Sequence, residues 1–84
     1  MKKDSLQADI EHRIAELRAT YPRISHCSSQ MEHWREGGEP RHALRLDIRW
    51  PQHQSLVSGP ACASPENAVD AAFAKATNSL TAHA

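Results

Sequence analysis

The sequence has no excess charge of either sign. Ten Lys and Arg balance ten Asp and Glu over 84 residues, so the formal net charge at pH 7 is zero. Long-range attraction to phosphate is thereby excluded, and a nucleic-acid partner would have to be held by a local basic patch. Long apolar runs are also lacking. Nothing approaches the ~20 apolar residues of a membrane span, and no apolar segment follows the lysines of the opening MKKDSLQADIEHR. The expectation is a cytoplasmic chain with neither a secretory leader nor a membrane partner. Cys27 and Cys62 have no zinc-site or redox-pair spacing, and read as small apolar residues of a reducing compartment. No Ser, His and acid arrangement of motif spacing, no glycine-rich strand-to-helix loop and no carboxylate pair in a cleft can be read. The chain is therefore expected not to be an enzyme and to need no cofactor. His33, His42 and His53 flank the hairpin ends and could meet Cys27 or Cys62, but their spacing matches no zinc site, so no metal is expected. Histidine itself is plentiful: six residues should make the protein distinctly positive between pH 7 and 5.

The chain is long enough for one small domain, residues 1–84, of two layers at most. Leu6, Ile10, Ile14, Leu17 and Tyr21 form one helical stripe, which predicts a helix over about residues 5–21, capped by Asp4 or Ser5 and stopped before Pro22. From Ile24 to Trp34 the period becomes two, and REGGEPR (35–41) supplies a hairpin loop. Leu44, Leu46, Ile48 and Trp50 alternate with Arg45, Asp47 and Arg49, the pattern of a half-buried strand that Pro51 ends. After a PQHQ turn, SLVSG reads as a short third strand. Ser64 is the natural N-cap of a last helix, with Pro65 at its first position and Val69, Ala72, Phe73, Ala76 and Leu80 as its buried stripe. The fold class is then α+β: a two-layer sandwich in α-β-β-β-α order, with an antiparallel three-stranded sheet and both helices on its Leu44, Leu46, Ile48 face.

Candidate binding residues are sparse. The outer sheet face should carry Arg45, Asp47 and Arg49 beside His26, Gln30 and Glu32, a mixture that favours ion pairs over phosphate binding. Arg35 and Arg41, with Trp34 beside them on the hairpin, are the nearest approach to a basic patch with a stacking aromatic.

IEHRIAELRATYPRIS, HALRLDIRWPQHQSLVSG and NAVDAAFAKATNSL together span most of the chain. They resemble, in that order, the first helix, the central hairpin and the last helix of the ribosome hibernation promoting factors, also called ribosome-associated inhibitor or sigma-54 modulation proteins. The resemblance implies binding to the small ribosomal subunit, in the channel used by mRNA and tRNA, and shutdown of translation in stationary phase. Carried over, Arg13 and Lys75 fall where that family has basic helix residues, and Arg18 lies close to another. Glu16 and Asn78 stand where a lysine and an arginine are usual, and SLTAHA replaces a basic tail. The alternative is a dimeric protein-interaction module that has kept the fold and lost RNA binding. The family also has a strand beside the segment equivalent to 25–34. This sequence opens at the helix, so a symmetric homodimer through the 25–34 edge, with a continuous six-stranded sheet, is a further expectation. Double-stranded RNA-binding domains share the element order, but the SPEN start of the last helix carries an acid and no lysine, which speaks against their mode of binding.

Overall fold

The computed structural model describes the backbone of residues 2–83 and the side chains of residues 5–81. Helix α1 (Lys2–Thr20) is followed by strands β1 (His26–Glu36), β2 (Glu39–Trp50) and β3 (His53–Ser58) and by helix α2 (Pro65–His83). The sheet is antiparallel in the order β1-β2-β3, and the α-β-β-β-α order of an α+β fold is as the sequence pattern predicts.

Alternation along β2 decides where the core lies. Leu44, Leu46 and Ile48 are at most 1 % exposed, and with Val57 of β3 they form the covered face of the sheet. Against that face α1 packs Ile10 and Leu17, and α2 packs Val69, Ala72, Phe73, Ala76 and Leu80. Leu6, Ile14, Tyr21, Cys27, Met31 and Trp50 close the margins of the same cluster. Alanines at positions 68, 72 and 76 are completely buried, which lets α2 lie close on the strands. No helix among the described residues is long and apolar enough to cross a membrane.

The element ends differ from the sequence expectation in instructive ways. Helix α1 starts at Lys2, so Ser5 lies inside its first turns instead of capping it, and the Asp4 side chain is outside the described residues. At the other end Tyr21 already sits in the turn, its N–H donating to the Leu17 carbonyl at 2.9 Å. The hairpin loop expected over 35–41 contracts to two residues. Gly37 and Gly38, with φ of 60° and 82°, make the turn, while Glu36 pairs with Glu39 and Arg35 with Pro40. A two-residue turn with both φ positive matches the right-handed twist of the strands, so the ladder runs to its tip. Pro40 is tolerated because β3 pairs with β2 only over 45–50, leaving no strand beside that end of β2. The β2–β3 turn likewise shortens from PQHQ to Pro51 and Gln52, with Trp50 opposite His53. The cap of α2 is as expected: Asn67 N–H donates to the Ser64 hydroxyl at 3.1 Å.

Candidate nucleic-acid interface

Phosphate is recognised by cations whose charge is not already neutralised, so the described Lys and Arg side chains are best sorted by their partners. One set is compensated. Arg13 bridges the helices, contacting Asp9 one turn away at 3.2 Å and Asp70 of α2, with its guanidinium 5.9 Å from the centre of the Phe73 ring. Burial works against its charge, but Asp9 and Asp70 outweigh that and raise its pKa. On the outer sheet face Arg45 lies 3.7 Å from Glu32 and Arg49 lies 3.0 Å from Asp47. Asp47 is held below the usual carboxylate range by hydrogen bonds from Gln54 and Arg49. Arg41, across the ladder from Trp34, has Glu39 at 4.0 Å.

The second set has no acid partner. Arg18 donates to the Ser25 carbonyl at 3.4 Å, Arg35 to the Gly38 carbonyl at 3.0 Å and Lys75 to the Ser58 carbonyl at 2.8 Å. A carbonyl orients such a group without cancelling its charge. Arg23 has neither a hydrogen bond nor an ion pair. These residues occupy different places: Lys75 the seam of α2 and β3, Arg35 the hairpin tip, Arg18 the last turn of α1 and Arg23 the connection that follows it. The residues singled out by sequence are thus not gathered into one patch by shared contacts. Arg35 alternates in β1 with Trp34 and so faces away from the Trp34 and Arg41 side of the hairpin. Trp34 itself donates to Glu36 at 3.5 Å.

What the fold does gather is a groove of about 440 Å³ where α1 ends, next to the β2–β3 turn. Its lining comprises Thr20, Tyr21, Pro22, Arg23 and Ile24, then Trp50, Pro51, Gln52 and His53, and Leu80 of α2. Among the described residues the lining contains no acid. Trp50 and His53 are in ring contact, with centroids 4.5 Å apart and planes inclined by 36°, and the Tyr21 hydroxyl pairs with Thr81 at 3.3 Å. The free carbonyls of a helix end would ordinarily repel an anion here. In α1 they are partly satisfied: the Thr20 hydroxyl donates to the Glu16 carbonyl at 2.9 Å, Tyr21 N–H to Leu17, and Ile24 N–H to the Tyr21 carbonyl at 3.1 Å. Arg23 and the groove were not among the residues that the sequence singled out, because its lining comes from three distant segments. The cue available was Arg23 immediately behind Pro22, a cation on a connection with no acid nearby in sequence.

Two of the histidines at the hairpin are paired. His33 and His42, opposite each other in the hairpin, have their Nδ1 atoms 2.7 Å apart, a hydrogen-bond distance. His42 is also bridged to Cys62 through two backbone hydrogen bonds of 2.8 Å, whereas His53 stands at the groove. No cluster of three or more His, Cys, Asp or Glu suited to a metal occurs among the described residues. Both cysteines are free thiols, and burial pushes that of Cys27 up. Comparison of the chain with protein-family models, with curated proteins and with solved structures returns no match.

Proposed function

We propose that the chain is a ribosome-associated translation inhibitor of the hibernation type, holding rRNA of the small ribosomal subunit through local cations. The observation that carries the reading is Arg23, which lines a groove with no acid among the described residues, together with Arg18 in the last turn of α1, neither cation having an acid partner among those residues. Its other supports are the α-β-β-β-α order and the resemblance of both helices and the central hairpin to those factors. Lys75 and Arg35 are further phosphate contacts on this reading. Arg13 and Arg41 contribute less, since Asp9, Asp70 and Glu39 already offset them. The test is co-sedimentation with small subunits and whole ribosomes over a salt series. Saturable binding that weakens with salt, and weakens at least ten-fold in the double variant Arg18→Glu and Arg23→Glu, is the expected result. Absence of binding at low salt would overturn it.

A specific observation favours a second reading, the dimeric interaction module. Strand β1 is an edge strand of 11 residues whose outer side has no partner strand among the described residues. In an antiparallel pair of two β1 strands with Ser29 on the two-fold axis, His26 faces Glu32 of the second copy and Cys27 faces its Met31. That register continues both the polar and the apolar side of the sheet. Light scattering at high micromolar concentration decides it, and a monomeric mass there rejects the dimer.

A further inference from the structure

We propose that the groove at the end of α1 is a binding site for one unpaired RNA nucleotide, an inference that rests on the RNA-binding reading above and specifies how it is realised. Four observations converge on it. The volume, about 440 Å³, is that of a small-ligand site and too small for a duplex. Its polar groups are the Arg23 guanidinium, the His53 imidazole, the Gln52 amide and the Thr20 and Tyr21 hydroxyls, with no carboxylate among the described residues to repel phosphate. Its lining includes the Trp50 indole, whose orientation is held by ring contact with His53 and by packing at the margin of the core, which lowers the entropic cost of stacking a base upon it. Finally, Gln52 at the groove has a φ of 70°, the left-handed region that glycine or asparagine enters at less cost. As the second residue of the Pro51–Gln52 turn it holds this conformation while its amide brings both a donor and an acceptor to the concave site.

The roles follow from the chemistry. Trp50 stacks on the base, the Gln52 amide meets its hydrogen-bonding edge, and Arg23 neutralises a flanking phosphate. A base paired in a duplex offers neither a free face nor a free edge, so the site selects unpaired RNA. A simple anion site would have no use for Trp50, and a peptide would look for backbone partners, which the β2–β3 turn does not offer as a strand edge does.

The experiment uses the full chain carrying Trp34→Phe, which leaves Trp50 as the single indole. Its fluorescence is titrated with a single-stranded RNA tetranucleotide, with a short blunt RNA duplex, and with inorganic pyrophosphate. The expected result is saturable quenching by the single strand alone, weakened about ten-fold or more by Arg23→Glu and several-fold by Gln52→Gly, a variant the turn accommodates without strain. Equal response to pyrophosphate, no response to the single strand, or indifference to Arg23→Glu would each overturn the assignment. The same variants are carried through ribosome co-sedimentation. If the tetranucleotide fails to bind while ribosomes are still retained, the groove assignment falls and the ribosomal reading stands. If the tetranucleotide binds and ribosomes do not, the groove assignment stands and the ribosomal reading falls.

Discussion

Gln52 and Phe73 show how differently single residues carry weight in this small domain. A side chain in the left-handed region costs on the order of 1–2 kcal/mol, and glycine gives back ~0.5–1 kcal/mol of that in unfolded-chain entropy. Gln52→Gly is therefore expected to stabilise the protein by about 0.5–1 kcal/mol in urea unfolding, while weakening the groove. A loss of stability would show that the Gln52 side chain contributes contacts to the native fold that outweigh its strain. Phe73 has the opposite character. It is 7 % exposed in the core of α2, with the Arg13 guanidinium against its ring. Phe73→Ala removes a large apolar volume and leaves a cavity, at a cost of about 3–5 kcal/mol, which is a large share of the stability of a domain this size. A cost below about 1 kcal/mol in the same measurement would mean that the core closes around the gap.

Elements were legible in the sequence where one local pattern determines them. The alternation of Leu44, Leu46 and Ile48, the stripe from Val69 to Leu80 and the Ser64 cap all reappear in the structure, because burial on one face and an unpaired helix N–H are set within a few residues. The hairpin tip was not legible in the same way. Glu36, Glu39, Pro40 and Arg41 look like loop residues, yet ladder pairing from Cys27 and Ile48 onward propagates to the Gly37–Gly38 turn regardless of their polarity. Arg13, matched by the resemblance to a basic helix position, ties α1 to Asp70, a partner 57 residues away that no periodicity reveals. The groove was hidden for the same reason. Contact between β3 and α2 gives an element-level prediction. At Gly59 an added Cβ would lie 2.9 Å from Ala72 Cβ and 3.1 Å from the Leu44 carbonyl oxygen. The neighbours are backbone and a short side chain that cannot swing aside, so Gly59→Ala should destabilise by about 1–3 kcal/mol through overpacking. An unchanged urea midpoint would mean that α2 shifts freely on the sheet and is not locked by Ala72.

At the scale of the whole molecule, a balanced charge count makes salt dependence the most informative property. The described cations without an acid partner are Arg18, Arg23, Arg35 and Lys75, dispersed over the fold, with Arg18 in the last turn of α1 and Arg23 in the connection that follows. Counterion release from a single strand gives a slope of log affinity against log salt of roughly −0.7 per neutralised phosphate. Two contacts at the groove end then predict a slope of about −1.4 for the tetranucleotide, and engagement of all four cations about −2.8 for the ribosome. Between 50 and 200 mM salt these correspond to losses of roughly seven-fold and fifty-fold, far less than a strongly basic RNA-binding protein shows. With no net charge to steer encounter, the salt effect should appear chiefly in the dissociation rate. A ribosomal slope near −6 or steeper would require Arg13, Arg41, Arg45 and Arg49 to abandon Asp70, Glu39, Glu32 and Asp47 for phosphate, and the compensated set would then belong to the interface. A slope near zero would remove phosphate contacts from the mechanism and transfer the weight to the unpartnered edge of β1.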